Sequence, residues 1–200
     1  MTEGSTVDTI FYTAGLLAAR MAFSDFELNP QLISRQARLR TGIYKKFDKA
    51  CHILTKEARA KGVPIKFIGN STFEIEALQA FELVPFVILE NAVKYSPPDQ
   101  SVEVNFYEIK HQELEVTINS MGPKLSNDEH ARLFERGMRG GNAINSNVSG
   151  EGLGLYLAKT LCALNGVKIW VEEPTAHSFI LNSVPYSAFK IHLSVKRTKT

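Results

Sequence analysis

The strongest constraint on this sequence is the end of an apolar, helix-forming run at residues 89–96, which reads Leu-Glu-Asn-Ala-Val-Lys-Tyr-Ser. Asn91, Lys94 and Tyr95 stand at positions i, i+3 and i+4, so a helix carries all three on one face. A carboxamide, an ammonium group and an aromatic ring then meet at one helix end. The same spacing also fits an ordinary amphipathic helix with a polar end, and this motif alone does not separate the two.

A glycine-rich loop at residues 150–154 favours a binding motif over an ordinary amphipathic helix. Gly150, Gly152 and Gly154 alternate with larger residues, among them Leu153, and an apolar helical run follows. Alternate glycines leave backbone N–H groups open to an anion, and the N-terminus of a helix favours negative charge. The alternative is a glycine turn that only admits a buried helix.

Together the two motifs have the chemistry needed to hold a nucleoside triphosphate with its magnesium ion. An asparagine oxygen suits a hard cation that keeps waters and phosphate oxygens as its other ligands. A lysine places a compact positive charge on a phosphate, and a tyrosine offers a flat face to a base. No Walker-type phosphate loop is present in the sequence.

These motifs resemble those of the sensor histidine kinase ATP-binding domain. This domain belongs to the Bergerat-fold ATPases, a group that also holds gyrase-type ATPases, the Hsp90 chaperones and MutL. Residues 89–96 are similar to its N box, residues 150–155 to its G2 box and residues 133–137 to its F box. The resemblance runs from about residue 47 to residue 195, in matching order and spacing.

The resemblance implies a role for each predicted site residue, with ATP and Mg²⁺ as the ligands. Asn91 would hold Mg²⁺, Lys94 would neutralise phosphate, and Tyr95 would stack near the adenine. The remaining contacts to ATP would come from Ser120 and Gly122 around the base, and from Gly150, Gly152, Leu153 and Gly154 around the phosphates.

One box departs from the family pattern. The family's G1 box is Asp-x-Gly-x-Gly, and its aspartate accepts a hydrogen bond from the adenine amino group. Here Ser120 takes the place of the aspartate and Lys124 that of the second glycine, while Asn119 takes the first place if the register slips by one. A neutral hydroxyl replaces a carboxylate, so the cost to adenine binding is on the order of 1 kcal/mol.

A second departure concerns hydrolysis. One helical turn before Asn91, the gyrase and Hsp90 branch has a glutamate that activates water, and the kinase branch often has a second asparagine. Val87 occupies that position and can do neither. Glu90 is the nearest carboxylate and is the candidate catalytic base, although it points roughly 100° away from Asn91 around the helix. A solvated helix residue is the alternative interpretation of Glu90.

Composition limits the remaining function classes. A chain of 200 residues with a net charge of +2 and no dense basic stripe is not typical of a nucleic-acid-binding protein. Cys51 and Cys162 lie in apolar helical patterns and are predicted to be reduced thiols of a cytoplasmic protein. The N-terminus lacks a basic signal region, and no apolar run approaches the length of a membrane span.

The chain is predicted to have two parts. Residues 1–60 form a helical extension with helices over about 6–23 and 31–60, separated at Asn29-Pro30. This extension either packs on the other part or serves as a homodimerisation or docking element. Residues 61–200 form the ATP-binding domain.

The ATP-binding part is predicted to be an α/β (α+β) domain, a two-layer sandwich with helices on one face of a mixed, largely antiparallel sheet. Strands are expected near residues 65–68, 71–77, 101–109, 113–119, 167–172 and 188–195, and the N-box helix over about 79–95. Pro85 implies that this helix is bent or starts later. Ser126 and Glu129 form a capping box, and Trp170 is expected in the core.

Residues 137–150 are too polar and too rich in glycine for a core element and are predicted to form a mobile lid over the nucleotide. Arg136 and Arg139 at its base are within reach of phosphates, or alternatively are surface charges.

None of the five histidines lies in the context of the family's phosphoacceptor box. The sequence therefore predicts a histidine kinase domain that acts in trans, on a protein partner that carries a phosphoacceptor histidine or is a response regulator. A non-catalytic nucleotide-sensing or interaction module with a degenerate G1 box is the first alternative. A slow ATPase switch is the second.

Overall fold

The computed structural model describes residues 37–110, 112–146 and 148–197, together with six isolated helical positions between residues 10 and 24. Most of the predicted helix over 6–23 and the start of the one over 31–60 lie outside the described residues. The prediction of a homodimer through these helices lies largely outside them as well.

The sheet of the described chain has six strands, in the order β2-β4-β5-β8-β6, with β7 paired to β8. β2 and β4 are parallel and every other pair is antiparallel. A separate two-stranded sheet joins β1 to β3. The strands are β1 (Arg38–Gly42), β2 (Ile65–Ile68), β3 (Glu74–Leu78), β4 (Val102–Ile109), β5 (Glu113–Pro123), β6 (Lys168–Glu172), β7 (Phe179–Leu181) and β8 (Val184–Lys196).

Three longer helices cover one face of the six-stranded sheet, and one hydrophobic core joins the two layers. The helices are α1 (Ile43–Lys61), α2 (Leu83–Tyr95), α3 (Asn127–Arg132), α4 (Gly141–Asn145) and α5 (Gly154–Leu164). The predicted two-layer α/β sandwich with a largely antiparallel sheet is confirmed. α1 contributes Phe47 and Leu54 to the same core as the sheet.

Helix α2 is the central helix of its layer and contacts α1, α5 and β5. Leu83, Val84, Val87, Ile88 and Leu89 are all fully buried, which explains why its apolar residues do not form a single stripe. A 3₁₀ turn over Gln79–Glu82 precedes it, so the α-helix starts later than residue 79. Pro85 then falls in the first turn, where a missing N–H costs no hydrogen bond.

Two local predictions are wrong. Residues 38–42 were expected to be helical, but they form β1 because their backbone pairs with β3, and this long-range pairing overrides the local helical spacing. Trp170 was expected in the core, but it lies on the open face of the sheet, 37% exposed, and stacks on His192 at a centroid distance of 4.8 Å.

Strand β1 is also tied to the far end of α5. The Arg38 guanidinium donates to the Leu164 carbonyl oxygen at 2.9 Å and to the Asn165 side-chain oxygen at 3.3 Å. That same oxygen accepts from the Leu78 backbone N–H at 2.8 Å. The Asn165 side-chain nitrogen donates to the Leu161 carbonyl oxygen at 2.7 Å. Arg38 and Asn165 therefore supply donors to the C-terminus of α5, where carbonyl groups have no partner within the helix.

Candidate functional site

A cavity of about 820 Å³ opens between helix α2, the end of strand β5, the N-terminus of α5 and residues 137–146 and 148–150, which we call the lid. Every residue predicted for the site lines this cavity. They are Glu90, Asn91, Lys94, Tyr95, Ser120, Gly122, Arg136, Arg139, Gly150, Gly152, Leu153 and Gly154.

The polar wall of the cavity lies where α2 contacts the glycine loop, residues 150–154. A Cβ atom added at Gly154 would lie 3.0 Å from Asn91 Nδ2, so the carboxamide fills the space that the missing side chain leaves. A Cβ added at Gly150 would lie 2.7 Å from Lys94 Nζ. The two glycines thus allow the carboxamide and the ammonium group to approach the loop backbone closely.

Glycine is required at position 152 for a different reason. Its φ is +71°, and an added Cβ would lie 2.5 Å from the Met138 carbonyl oxygen. Its own carbonyl oxygen accepts a hydrogen bond from Gly137 N at 3.1 Å. Only glycine fits this conformation and this contact, which connects the loop to the start of the lid.

Lys61 satisfies the C-terminal end of α2. Its ammonium donates to the carbonyl oxygens of Val93 (2.9 Å) and Lys94. Burial lowers the pKa of Lys61, and the Lys94 charge lowers it further, against an opposing effect of Glu57. Lys61 therefore fixes the turn that carries Lys94 and Tyr95, a role that the sequence analysis did not assign. The sequence feature that points to this role is the position of Lys61 in the last turn of α1.

The other end of the cavity is largely apolar. Ser120 faces it and donates a hydrogen bond to the Phe189 carbonyl oxygen at 3.3 Å. Asn119 alternates with Ser120 and lies on the opposite face of β5, where its side-chain oxygen is buried without a partner. The structure thus places Ser120 on the cavity wall. The apolar lining that motifs did not identify comes from Ile118, Leu125, Leu157, Phe189 and Ile191.

The lid is docked on the segment that follows β5. Asn142 Nδ2 donates to the Lys124 carbonyl oxygen at 2.6 Å, and Gly141 N donates to Glu129 Oε1 at 2.6 Å. Glu129 also completes the predicted capping box with Ser126, which the structure confirms. Burial by itself would raise the pKa of Glu129, but the hydrogen bonds from Ser126 and Gly141 lower it overall. The carboxylate that anchors the lid is therefore ionised at neutral pH.

Charged groups of both signs face the cavity. Among the described lining residues, Lys94, Arg136 and Arg139 are cations, and Glu90 and Glu151 are carboxylates. A guanidinium nitrogen of Arg139 donates to the Val148 carbonyl oxygen, while its Nε is buried without a partner. Lys94 Nζ lies 5.5 Å from the centroid of the Tyr95 ring. This distribution favours a polyanionic ligand with an aromatic part.

Two residues that bear on water activation also lie in the wall. Val87 is fully buried and lines the cavity one turn before Asn91, so no polar group is present at that point. Glu90 lines the cavity beside Asn91 and is half-buried. Within the ranges that the structure covers, none of the histidines lines the cavity.

Two further observations concern the described residues alone. No helix in these ranges is long and apolar enough to cross a membrane. The thiols of Cys51 and Cys162 are free, and burial raises the pKa of Cys162 to about 12.

Comparison with known proteins agrees with this geometry. Residues 80–196, more than half of the chain, match the family described as "Histidine kinase-, DNA gyrase B-, and HSP90-like ATPase". Histidine protein kinase SaeS of Staphylococcus aureus is 35% identical over 109 residues, which cover 52% of this chain and 31% of SaeS. The chain therefore spans about a third of the length of this relative.

Solved structures show the same fold. The mycobacterial sensor histidine kinase MprB aligns with a TM-score of 0.60 at 22% identity, over 81% of this chain and 99% of that one. Histidine kinase ThkA, solved in complex with the response regulator protein TrrA, aligns with a TM-score of 0.59 at 13% identity, over 80% of this chain and 42% of that one. The chain belongs to the histidine kinase-, DNA gyrase B- and HSP90-like ATPases, and the relative and the solved structures to which it is similar are histidine kinases.

Proposed function

We propose that this chain binds ATP with Mg²⁺ and transfers the γ-phosphate to a histidine on a partner protein or on a segment outside the domain. The observation that carries the proposal is the approach of Asn91 and Lys94 to the glycine loop across one cavity. A carboxamide, a cation and the glycine loop there line the same space. In this proposal the triphosphate lies at that end and the base lies against the apolar end, near Ser120 and Tyr95.

Mg²⁺ fits the groups that are present. The described residues contain no cluster of three or more His, Cys, Asp or Glu side chains suited to a metal. Mg²⁺ does not need such a cluster, because it keeps several waters and binds through substrate phosphates. The Asn91 carboxamide, held against Gly154, would hold the metal, which when bound supplies positive charge to the phosphates.

The remaining residues act by position and charge. Lys94 would neutralise phosphate, and the N–H groups at the start of α5 would bind phosphate oxygens. Arg136 and Arg139 at the base of the lid would add positive charge there. Phosphoryl transfer depends mostly on such positioning and charge stabilisation, with little covalent chemistry required of the protein.

Action in trans is part of this proposal, and the composition of the cavity wall supports it. No described histidine lines the cavity, so the acceptor would come from elsewhere. Val87 offers no group to orient water, which disfavours a slow ATPase switch and leaves Glu90 as the proposed base. A cytoplasmic location, a response-regulator partner like that of ThkA, and a homodimer through residues 1–60 complete the proposal.

A non-catalytic nucleotide-sensing or interaction module is the competing function. Two observations favour it: Ser120 stands where the family has aspartate, and Val87 stands where the family has a polar residue. In that case nucleotide binding would change the lid without any phosphoryl transfer.

Binding is tested by thermal unfolding with and without ATP and Mg²⁺. Asn91→Ala should lose most of the nucleotide-dependent stabilisation. Asn105→Ala is the matched control, because Asn105 lies on the other face of the sheet and outside the cavity lining, and it should keep that stabilisation. If the parent protein is not stabilised by any nucleotide, the nucleotide-binding function is wrong.

Transfer is tested with ATP labelled on the γ-phosphate and a purified histidine-containing partner domain. Acid-labile label on the partner, absent with Asn91→Ala, supports the kinase. Free phosphate in the absence of the partner supports the ATPase. Nucleotide binding with neither product supports the non-catalytic module.

A further inference from the structure

A buried carboxylate outside the cavity organises both the cavity wall and the lid. Glu173 follows strand β6, and its side chain is only 2% exposed. Its Oε1 atom accepts from Leu125 N at 3.2 Å and from the Ser187 hydroxyl. Its Oε2 atom lies 3.7 Å from Lys124 Nζ. A buried carboxylate is costly unless such partners surround it, so this arrangement depends on all of them.

Lys124 connects three parts of the molecule. Its backbone N–H donates to the Pro185 carbonyl oxygen at 2.8 Å, and its ammonium also donates to the Pro174 carbonyl oxygen. Its own carbonyl oxygen is the acceptor for Asn142 of the lid. The side chain that replaces the second glycine of the G1 box therefore points away from the cavity, toward the connection between β6 and β8.

The lid helix rests directly on the same segment. A Cβ added at Gly140 would lie 2.7 Å from Leu125 Cδ2, so the lid backbone touches the Leu125 side chain. Leu125 lines the cavity, as do Met138, Gly140 and Ala143 of the lid. One carboxylate thus holds, through Lys124 and Leu125, both a wall residue and the surface on which the lid docks.

We propose that Glu173, Lys124 and Asn142 form a latch that holds the lid against the cavity, with Glu173 as its positioning residue. The inference rests on the proposed nucleotide function, because it deepens the regulation of that same site. Loss of the Glu173 charge removes the ion pair of Lys124, whose ammonium then keeps only the Pro174 carbonyl oxygen as a partner, and so loosens the segment that presents the carbonyl oxygen to Asn142. The lid then opens more often, and a bound nucleotide leaves faster.

The latch is tested first without nucleotide, by hydrogen exchange of single backbone amides. Glu173→Gln should raise exchange at Gly141 and Ile144 about tenfold, while core amides such as that of Leu193 exchange as in the parent protein. Glu172→Gln is the matched control, since Glu172 is the preceding residue, the last of β6, and contacts Lys190 and His192 instead. Equal acceleration of lid and core amides would mean a purely structural role and would overturn the proposal.

Asn142→Ala breaks the latch from the lid side and leaves the Glu173 carboxylate intact. It should also raise lid exchange, and combining it with Glu173→Gln should add little, because both changes break one connection. Independent, multiplying effects of the two substitutions would contradict the latch.

Nucleotide kinetics provide the functional measurement. In stopped-flow experiments with a fluorescent ATP analogue, both latch variants should release nucleotide about fivefold faster with a nearly unchanged association rate. An unchanged release rate in a variant with faster lid exchange would overturn the link between latch and nucleotide. Absence of nucleotide binding in the parent protein would refute the proposed function alone, because the exchange experiment still reports on the latch.

Discussion

Replacement of Gly154 by alanine should make the protein more stable while it weakens nucleotide binding. Gly154 is the first residue of α5, and its backbone has no left-handed conformation that an alanine would resist. Alanine is a better helix former than glycine by up to about 1 kcal/mol in a helix interior, and we expect about half of that in the first turn. For a chain of 200 residues this corresponds to a melting temperature higher by roughly 1–2 °C.

Nucleotide binding weakens because the new methyl group displaces the Asn91 carboxamide. The new Cβ atom would lie 3.0 Å from Nδ2 and 3.6 Å from Oδ1, and the first distance is shorter than ordinary van der Waals contact. The carboxamide can relieve it only by moving a few tenths of an ångström away from the loop. Loss of one good polar contact to a metal-bound triphosphate is worth about 1 kcal/mol, which corresponds to roughly fivefold weaker binding.

The assay combines thermal unfolding of the free protein with titration calorimetry using a non-hydrolysable ATP analogue and Mg²⁺. Gly152→Ala is the matched comparison, because its positive φ and its contact with the Met138 carbonyl oxygen predict a loss of both stability and binding. Parent-like affinity of Gly154→Ala, in a protein where Asn91→Ala abolishes binding, would refute the argument that Gly154 positions the carboxamide.

Three further predictions concern single side chains. Ser120→Asp should increase the preference for ATP over GTP about fivefold in competition binding, because a carboxylate accepts from the adenine amino group more strongly than a hydroxyl does. Burial by itself would raise the pKa of Glu82, but its ion pairs with Lys46 and Lys49 lower it overall. The contribution of these ion pairs to the free energy of unfolding is therefore present above pH 4.5 and is lost as the pH falls through the folded-state pKa. Denaturant unfolding should therefore show Glu82→Gln less stable than the parent protein at pH 7, with a difference that shrinks below pH 4.5. Iodoacetamide at pH 8 should modify Cys51 before Cys162 in the native protein, because Cys162 is fully buried with a pKa of about 12; mass spectrometry checks the order.

The grouping of the candidate site residues around one cavity was largely predictable, because the residues within each motif are close in sequence. Asn91, Lys94 and Tyr95 lie on one helix face, and the alternate glycines lead into α5, so local spacing determines which groups point together within each motif. The resemblance to the family, not the spacing, predicted that the two motifs form one site. Pro85 predicted either a bend or a later start for α2, and the structure shows the later start, at Leu83.

Features that depend on distant pairing were not predictable in this way. Strand β1 lies in a run with helical spacing, and only its pairing with β3 reveals it. Strand β7 was not predicted, because its hairpin with β8 turns at Asn182-Ser183, both with positive φ, instead of at the glycine that usually marks such turns. The latch joins Lys124 to Glu173 across the sheet, and charge pairs of this separation leave no pattern in a single sequence.

The contact of Arg38 with the end of α5 has a mechanical consequence. The N-terminus of that helix carries the glycine loop, and its C-terminus is tied to the strand through which every earlier residue of the chain enters the domain. An α-helix of this length is a stiff rod of about 16 Å. We therefore expect a displacement of β1 to reach the glycine loop through the two hydrogen bonds of Arg38 and the rigid helix.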